Sequence, residues 1–83
     1  MEKEIRTIEK NSSEDIRVQL TNFKGHDLVD VRIWTRPGPG ETDEKPKPTK
    51  KGICVSPRLI PEIIDALHAA DAAYQEGEGK RAN

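Results

Sequence analysis

Cysteine, aromatic residues and long apolar runs are all scarce in this 83-residue chain. The single cysteine, Cys54, cannot form an internal disulfide, and no apolar N-terminal run indicates secretion or a membrane span. The two histidines, His26 and His68, have no further histidine or cysteine near them at metal-ligand spacing, which argues against zinc. We therefore expect a reducing cytosol or nucleus as the setting, with no metal, other cofactor or membrane partner.

The chain also lacks the residue spacings that are typical of catalytic sites. Asp27 and Asp30 stand three residues apart in an extended run, so their side chains point to opposite faces and cannot form a carboxylate pair. We therefore predict that the protein is not an enzyme. Apolar residues make up only 33% of the chain, against 35% charged residues. Because so short a chain buries only roughly 60% of its surface, we expect self-association to add stability, most simply as a homodimer.

Two runs of alternating apolar and polar residues predict a β-hairpin. The runs cover residues 15–21 and 28–34, and the residues 22–25 between them are typical of a turn. So short a connection favours antiparallel pairing with both apolar faces on the same side. The apolar face would carry Ile16, Val18, Leu20, Val29, Val31 and Ile33, and the opposite face Arg17, Gln19, Arg32 and Trp34.

Weaker signals on either side complete a four-stranded meander. Residues 4–9 have a weak strand pattern, and residues 51–55 form a short final strand in which Ile53 and Val55 share a face. Between the last two strands, residues 36–49 contain four prolines, two glycines and nothing apolar to anchor them. We interpret this segment as a long mobile loop.

A helix is predicted to follow the last strand. Ser56 and Pro57 are typical of an N-cap and a first helical position, with the regular helix beginning near Pro61 and running to about Tyr74. Its apolar residues recur at spacings of three and four, so this stripe covers either one face of the sheet or a second helix. The helix also carries Glu62, Asp65 and Asp71, which argues against a lipid surface. Residues 76–83 are predicted to form a disordered tail.

The face opposite the apolar one has the ingredients for binding single-stranded nucleic acid, namely cations and aromatic rings. The net charge is only −1, but residues 45–58 contain five cations and no acid. Four alternatives stay open: the lysines belong to a solvated loop, Phe23 folds back on the sheet, Trp34 covers the core edge, or Arg32 forms a cross-strand ion pair.

Residues 17–25 (RVQLTNFKG), 28–32 (LVDVR) and 48–53 (PTKKGI), together with Ser56-Pro57, resemble the positive-cofactor-four (p15) transcriptional coactivator family in its short bacterial-type form. The resemblance covers about residues 5–74. It implies a Whirly-like α+β fold, in which a curved four-stranded antiparallel sheet is followed by one C-terminal helix, and a homodimer formed largely by the helices. The chain departs from the eukaryotic pattern, which tends to have basic residues at the positions of Asp15, Thr21 and His26, and the position of Trp34 is shifted.

The same resemblance implies a function. Residues 1–75 would form a single-stranded DNA-binding domain with a role in transcription or its regulation, inside a bacterial cell near the nucleoid or in a nucleus. Phe23 would stack on a base, Lys24 and Gly25 would line the turn, and Arg32, Lys50 and Lys51 would meet phosphates, with Lys47 a weaker candidate. RNA binding and a protein-interaction module on the same face remain alternatives, as does contact with the transcription machinery. The interface residues so predicted are Arg17, Gln19, Phe23, Lys24, Gly25, Arg32, Trp34, Lys47, Lys50 and Lys51 for the nucleic acid, and Ile60, Ile63, Ile64, Leu67 and Ala70 for the homodimer.

Overall fold

A computed structural model describes residues 2–41 and 44–77 of the chain. Four strands form one open, curved sheet in the order β1-β2-β3-β4, and each pairs antiparallel with its neighbour. This meander, followed by one helix, confirms the predicted fold class. No helix in the described part of the chain is long and apolar enough to cross a membrane. The elements are β1 (Lys3–Glu9), β2 (Glu14–Phe23), β3 (His26–Thr35), β4 (Lys47–Val55), a 3₁₀ turn (Pro57–Leu59) and α1 (Ile60–Glu76).

The central hairpin has the register that the alternating pattern predicts. Strands β2 and β3 pair without a bulge, and the apolar residues lie directly opposite one another. Because side chains alternate along a strand, this register collects all the apolar residues on one face and the polar residues on the other. The opposed apolar pairs are Ile16 with Ile33, Val18 with Val31, and Leu20 with Val29.

The turn of this hairpin is tighter than the predicted segment 22–25. Only Lys24 and Gly25 lie outside the strands, with φ angles of 52° and 82°. Two consecutive positive φ angles are the signature of a type I′ turn, whose twist matches that of the flanking strands. Asn22 is in β2, where its side-chain oxygen accepts a hydrogen bond of 3.1 Å from the Gly25 amide. Phe23 is therefore the last residue of a strand instead of a turn residue.

Strand β4 begins at Lys47, four residues before its predicted start. Two prolines in this region predicted a loop, but the outer strand of a sheet tolerates proline because its outward amides need no partner. Pro48 lies opposite Trp34, and the Thr49 hydroxyl donates a hydrogen bond of 2.9 Å to the Ile33 carbonyl. The predicted loop 36–49 thus loses its last three residues to the strand. The mobility of residues 36–46 stays a prediction.

A close approach of β4 to β3 requires glycine at position 52. A Cβ atom on Gly52 would lie 2.4 Å from the Val31 carbonyl oxygen and 2.7 Å from the Arg32 Cα. Both atoms belong to the backbone, so neither can move aside cheaply. The short KKGI segment of the sequence therefore has a structural reason for its glycine.

The helix has the predicted start and extends slightly beyond its predicted end. Ser56 caps the 3₁₀ turn through a hydrogen bond from the Arg58 amide, and α1 begins at Ile60. It runs to Glu76, two residues past Tyr74, so the first residue of the predicted tail is helical. Gly77 follows as the C-cap, and residues 78–83 of that tail lie outside the described residues.

The apolar stripe of α1 is uncovered. Every α1 residue is exposed except Ile60 and Ile63, which are half-buried, and Leu67 is 65% exposed. The sequence left two partners open for this stripe, the sheet of the same chain or a second helix. In the described chain the stripe does not cover the sheet. No hydrophobic side chain among residues 2–41 and 44–77 is fully buried. All five predicted dimer residues lie on this helix: Ile60, Ile63, Ile64, Leu67 and Ala70.

Candidate nucleic-acid interface

The hairpin presents a polar face on the side opposite its apolar residues. We call it the polar face, and define it by the residues that alternation and the β2–β3 register place together. The four residues that the alternating pattern grouped here, Arg17, Gln19, Arg32 and Trp34, all lie on it. Its members are Asp15, Arg17, Gln19, Thr21 and Phe23 on β2, and His26, Leu28, Asp30, Arg32 and Trp34 on β3.

Phe23 lies at the tip of the polar face and is open to solvent. Its side chain is 62% exposed, and it does not fold back on the sheet. The Lys24 ammonium nitrogen lies 5.3 Å from the centroid of the Phe23 ring, within the range of a cation–π contact. Gly25 completes the turn beside them. The tip of the hairpin therefore displays an aromatic ring together with a positive charge.

Arg17 and Trp34 form a stacked pair at the other end of the polar face. The guanidinium carbon lies 4.4 Å from the centroid of the indole ring. Glu4 of β1 forms an ion pair with Arg17, with 3.6 Å between its carboxylate oxygen and an Arg17 terminal nitrogen. The Arg17 Nε and Trp34 Nε1 atoms are both buried, and neither has a hydrogen-bond acceptor among the described residues. Stacking and the Glu4 charge therefore hold Arg17 in place.

Arg32 is the cross-strand partner of Arg17, and its positive charge is satisfied by Asp30. Its Nε and one terminal nitrogen donate hydrogen bonds of 2.9 to 3.2 Å to the Asp30 carboxylate, and its other terminal nitrogen donates to the Thr49 carbonyl at 3.0 Å. The hydrogen bonds that Arg32 donates to Asp30 raise the pKa of Arg32 above its ordinary value. The acid lies two residues away on the same strand, so the alternative of a cross-strand ion pair is not what the structure has.

Two arginines directly opposite each other would repel, because like charges across a strand pair are destabilising. In this sheet each has a carboxylate of its own, Glu4 for Arg17 and Asp30 for Arg32. The polar face therefore carries two arginines on opposite strands, one row from Trp34, and each is held by its own carboxylate.

The predicted lysines do not all reach this face. Lys47 pairs with Thr35 at the start of β4, and its ammonium lies 3.5 Å from a Glu44 carboxylate oxygen. Lys50 is exposed in the irregular stretch of β4 opposite Ile33. Lys51 borders the apolar surface, where it lines a shallow hollow with Ile16, Val31, Ile33 and Ile53. The pairing of β3 with β4 is irregular between Arg32 and Trp34, so simple alternation does not decide the faces of the lysines opposite.

Arg36 and Glu4 are two residues of this region that the sequence interpretation missed. The Arg36 guanidinium pairs with the Asp15 carboxylate and donates to the Asn11 carbonyl, while its backbone amide donates to Ser13 at 2.8 Å. Asp15 is the one buried polar residue of the described chain, at 5% exposure. Arg36 therefore fastens the end of β3 to the β1–β2 turn. The sequence signal for Arg36 was the acid at position 15, where the eukaryotic pattern of the resembled family tends to have a basic residue.

Within residues 2–41 and 44–77, no group of three histidine, cysteine, aspartate or glutamate side chains is placed to hold a metal ion. Cys54 is exposed and lies opposite Asp30 on β3. The polar face itself carries an exposed aromatic ring at Phe23 and the positive charges of Arg17 and Arg32.

Comparisons with known proteins agree with this description. A family model described as Transcriptional Coactivator p15 (PC4) matches residues 10–66, which include the whole polar face. A PC4 homolog from Burkholderia pseudomallei is similar in structure: its tetragonal crystal form has a TM-score of 0.72 and 28% sequence identity, over 86% of this chain and 98% of that chain. The orthorhombic form of the same homolog has a TM-score of 0.72 and 29% identity, over 83% and 88% of the two chains.

A more distant solved structure has the same fold. It is the bacteriophage T5 homolog of the eukaryotic transcription coactivator PC4, described as implicated in recombination-dependent DNA replication. Its TM-score is 0.59 and its identity 21%, over 98% of this chain and 91% of that chain. Among curated protein sequences, none matches the chain.

Proposed function

The chain belongs to the PC4 family of transcriptional coactivators, and from this membership we propose that it binds single-stranded DNA, as a homodimer and largely without sequence preference. A role in transcription or its regulation is part of the same proposal. The family match spans β2, β3, β4 and the first part of α1. It therefore includes the residues from which the proposed binding surface is built.

One observation carries the proposal: a strongly exposed phenylalanine shares the polar face with two fixed arginines. A 62% exposed Phe23 contributes little to folding, whereas an exposed ring is what an unpaired base stacks on. Arg17 and Arg32 lie between Phe23 and Trp34 along the hairpin. Rings at both ends and positive charges in the middle suit a strand that runs along β2 and β3.

The length of the polar face supports a site for several nucleotides. Trp34 lies opposite Asp15, which is eight residues from Phe23 on the same strand. At about 3.3 Å per residue this separation is about 26 Å. A single strand in contact with both ends would pass over Arg17 and Arg32, whose positive charges would attract its phosphates. Sequence-tolerant binding follows, because every base has a face that can stack.

The homodimer is supported by the apolar surface that one copy leaves open. Ile64 is 48% and Leu67 65% exposed, and both lie on the apolar stripe of α1. The apolar face of the sheet also has no cover within the described chain. A second copy would bury both surfaces at once and supply the core that a single small chain lacks. We therefore assign the α1 stripe to the contact between two copies.

Fluorescence anisotropy with a labelled single-stranded oligonucleotide tests the DNA-binding proposal directly. We expect saturable binding, weaker binding to the same sequence as a duplex, and affinity that falls as salt rises, since neutralised phosphates release counterions. Equal binding to the duplex, or no dependence on salt, would contradict the proposal. An RNA oligonucleotide of the same sequence is the third arm, because stacking alone tolerates either sugar.

A further inference from the structure

Arg17 covers the Trp34 ring that would otherwise be the second stacking platform. The guanidinium carbon lies over one face of the indole ring, 4.4 Å from its centroid. A base could reach that face only after Arg17 had left it. The Arg17 side chain itself is 18% exposed, so part of it still meets solvent.

We propose that a base stacks on the outer side of the Arg17 guanidinium, with Trp34 behind it, so that the two residues act as one composite platform. The proposal rests on the single-stranded DNA binding proposed above and names the contact at the end of the polar face away from Phe23. Guanidinium planes stack both on aromatic rings and under unpaired bases, so a base, Arg17 and Trp34 can form three layers.

The surroundings of Arg17 favour this position over any other. Arg32 lies directly opposite, so a movement of Arg17 toward it would bring two positive charges together. Glu4 lies on the other side, on β1, and attracts the Arg17 terminal nitrogen at 3.6 Å. The ring of Trp34 lies beneath. The guanidinium is thus placed before any ligand arrives, and preorganisation reduces the cost of binding.

The two ends of the polar face therefore differ in chemistry. Phe23 offers a plain aromatic ring at the tip, with Lys24 beside it. The composite platform offers a positively charged plane, which can stack under a base and also attract the phosphates on either side of it. A lysine cannot replace Arg17 in this role, because its ammonium is a point charge without a plane.

The sole tryptophan of the chain makes the proposal measurable, since all indole fluorescence comes from Trp34. Unlabelled oligothymidylate is added to the wild-type protein while the fluorescence of Trp34 is recorded. In a parallel titration, the anisotropy of a labelled oligothymidylate reports binding. We expect binding with little quenching of Trp34, because Arg17 separates the base from the indole. In Arg17→Ala the affinity should fall about 5- to 100-fold, and the remaining complex should quench Trp34, because the ring is now uncovered.

The Arg17→Lys variant keeps the positive charge but removes the planar guanidinium, so it tests the two contributions separately. We expect its affinity to fall at least about fivefold while the salt dependence stays that of the wild type. Arg58→Lys is the matched control: Arg58 is exposed on the 3₁₀ turn, outside the polar face, so its replacement should leave DNA affinity unchanged. Thermal unfolding of each variant verifies that it is folded.

Three results would overturn the composite platform. Strong quenching of Trp34 in the wild-type complex would show a base directly on the indole, and wild-type affinity in Arg17→Lys would show that charge alone suffices. In both cases DNA binding itself would stand. Absence of any anisotropy change with the wild type would instead reject the proposed function, and the platform with it.

Discussion

Asp15 and Arg36 form an ion pair between β2 and the residue after β3, and Asp15 is almost completely buried by it. The carboxylate is on the polar face, at the end where β1, β2 and β3 come together. A buried carboxylate is costly unless it is paired, and here the guanidinium of Arg36 pairs with it while also binding the Asn11 carbonyl. The acid that departs from the family's basic pattern is therefore part of the scaffold.

Replacement of Arg36 should test this assignment. Arg36→Ala leaves Asp15 without its partner, so the free energy of unfolding should fall by about 1–3 kcal/mol. This loss of unfolding free energy is smaller than for a fully buried ion pair, because Arg36 is 28% exposed and solvent screens its charge. Urea denaturation at a fixed protein concentration measures the change.

Arg58→Ala is the matched control for Arg36→Ala. Arg58 is exposed and forms no ion pair within the described chain, so its loss should change stability by less than about 0.5 kcal/mol. Equal losses in the two variants would show that the Asp15 pair contributes nothing specific.

Stability should also depend on the ionisation of Glu14. Hydrogen bonds from the Asn11 amide at 2.9 Å and the Lys10 ammonium at 3.0 Å lower the pKa of Glu14 below its ordinary value of 4.5. Because the pKa is lower in the folded state, the stabilisation is present above pH 4.5 and is lost as the pH falls through the lowered value. The measurement is the Tm of the wild type and of Glu14→Gln as a function of pH. The variant should lack the part of the fall in Tm at low pH that comes from Glu14.

Titration of the Glu14 carboxyl by NMR measures the same effect directly. Asn11→Asp keeps the side-chain oxygen that accepts from the Ser13 and Glu14 amides, but removes the donor and adds a negative charge. The pKa of Glu14 should rise in this variant. An unchanged pKa would show that Asn11 does not cause the shift.

Much of the fold could be predicted because its elements have clear periods. The alternation of residues 15–21 and 28–34 is enough to pair Ile16 with Ile33 in the observed register. The start of β4 could not be predicted in this way, since Pro46 and Pro48 are typical of a loop. Pro48 can lie in a strand because β4 is at the edge of the sheet.

The site was predictable only in part, because its contacts depend on neighbouring strands. Alternation places Arg17 and Trp34 on the same face, but their stacking is a diagonal contact: Trp34 lies opposite Asp15, two residues from Arg17. Long side chains reach across such diagonals, whereas a sequence pattern shows only which face they share. The face that Lys51 borders could not be predicted for a related reason, since the pairing of β4 with β3 is irregular next to it.

Gly52 should tolerate no larger residue. In Gly52→Ala the new Cβ would meet the Val31 carbonyl oxygen, so β4 must move away from β3, and we expect a loss of about 1–3 kcal/mol in unfolding free energy. Gly25→Asn is the control, because position 25 has a positive φ that asparagine accepts and no atom within 4 Å of a Cβ. In thermal unfolding the Tm of Gly52→Ala should be well below that of Gly25→Asn. The reverse order would contradict the close approach of β4 to β3.

Phe23→Ala should weaken DNA binding without weakening the fold. We expect the affinity for a single strand to fall by about 1–3 kcal/mol, the value of one stacked base, with Tm unchanged because the ring is largely in solvent. Phe23→Tyr keeps a ring and should bind normally, whereas Phe23→Leu keeps apolar surface without a ring and should not. A lower Tm with unchanged affinity in Phe23→Ala would make the residue structural.

Leu67→Asp should separate the proposed homodimer. Leu67 is 65% exposed in one copy, and a carboxylate there would be buried without a partner if two α1 helices pack together. Ala69→Asp is the control, because it adds the same charge to the same helix but two residues on, about 200° around the axis and outside the apolar stripe. Sedimentation equilibrium should give a monomer for Leu67→Asp and a dimer for Ala69→Asp and the wild type. A wild-type monomer, or a Leu67→Asp dimer, would mean that the α1 stripe is not the contact between copies, and the uncovered apolar surface would then need a different partner.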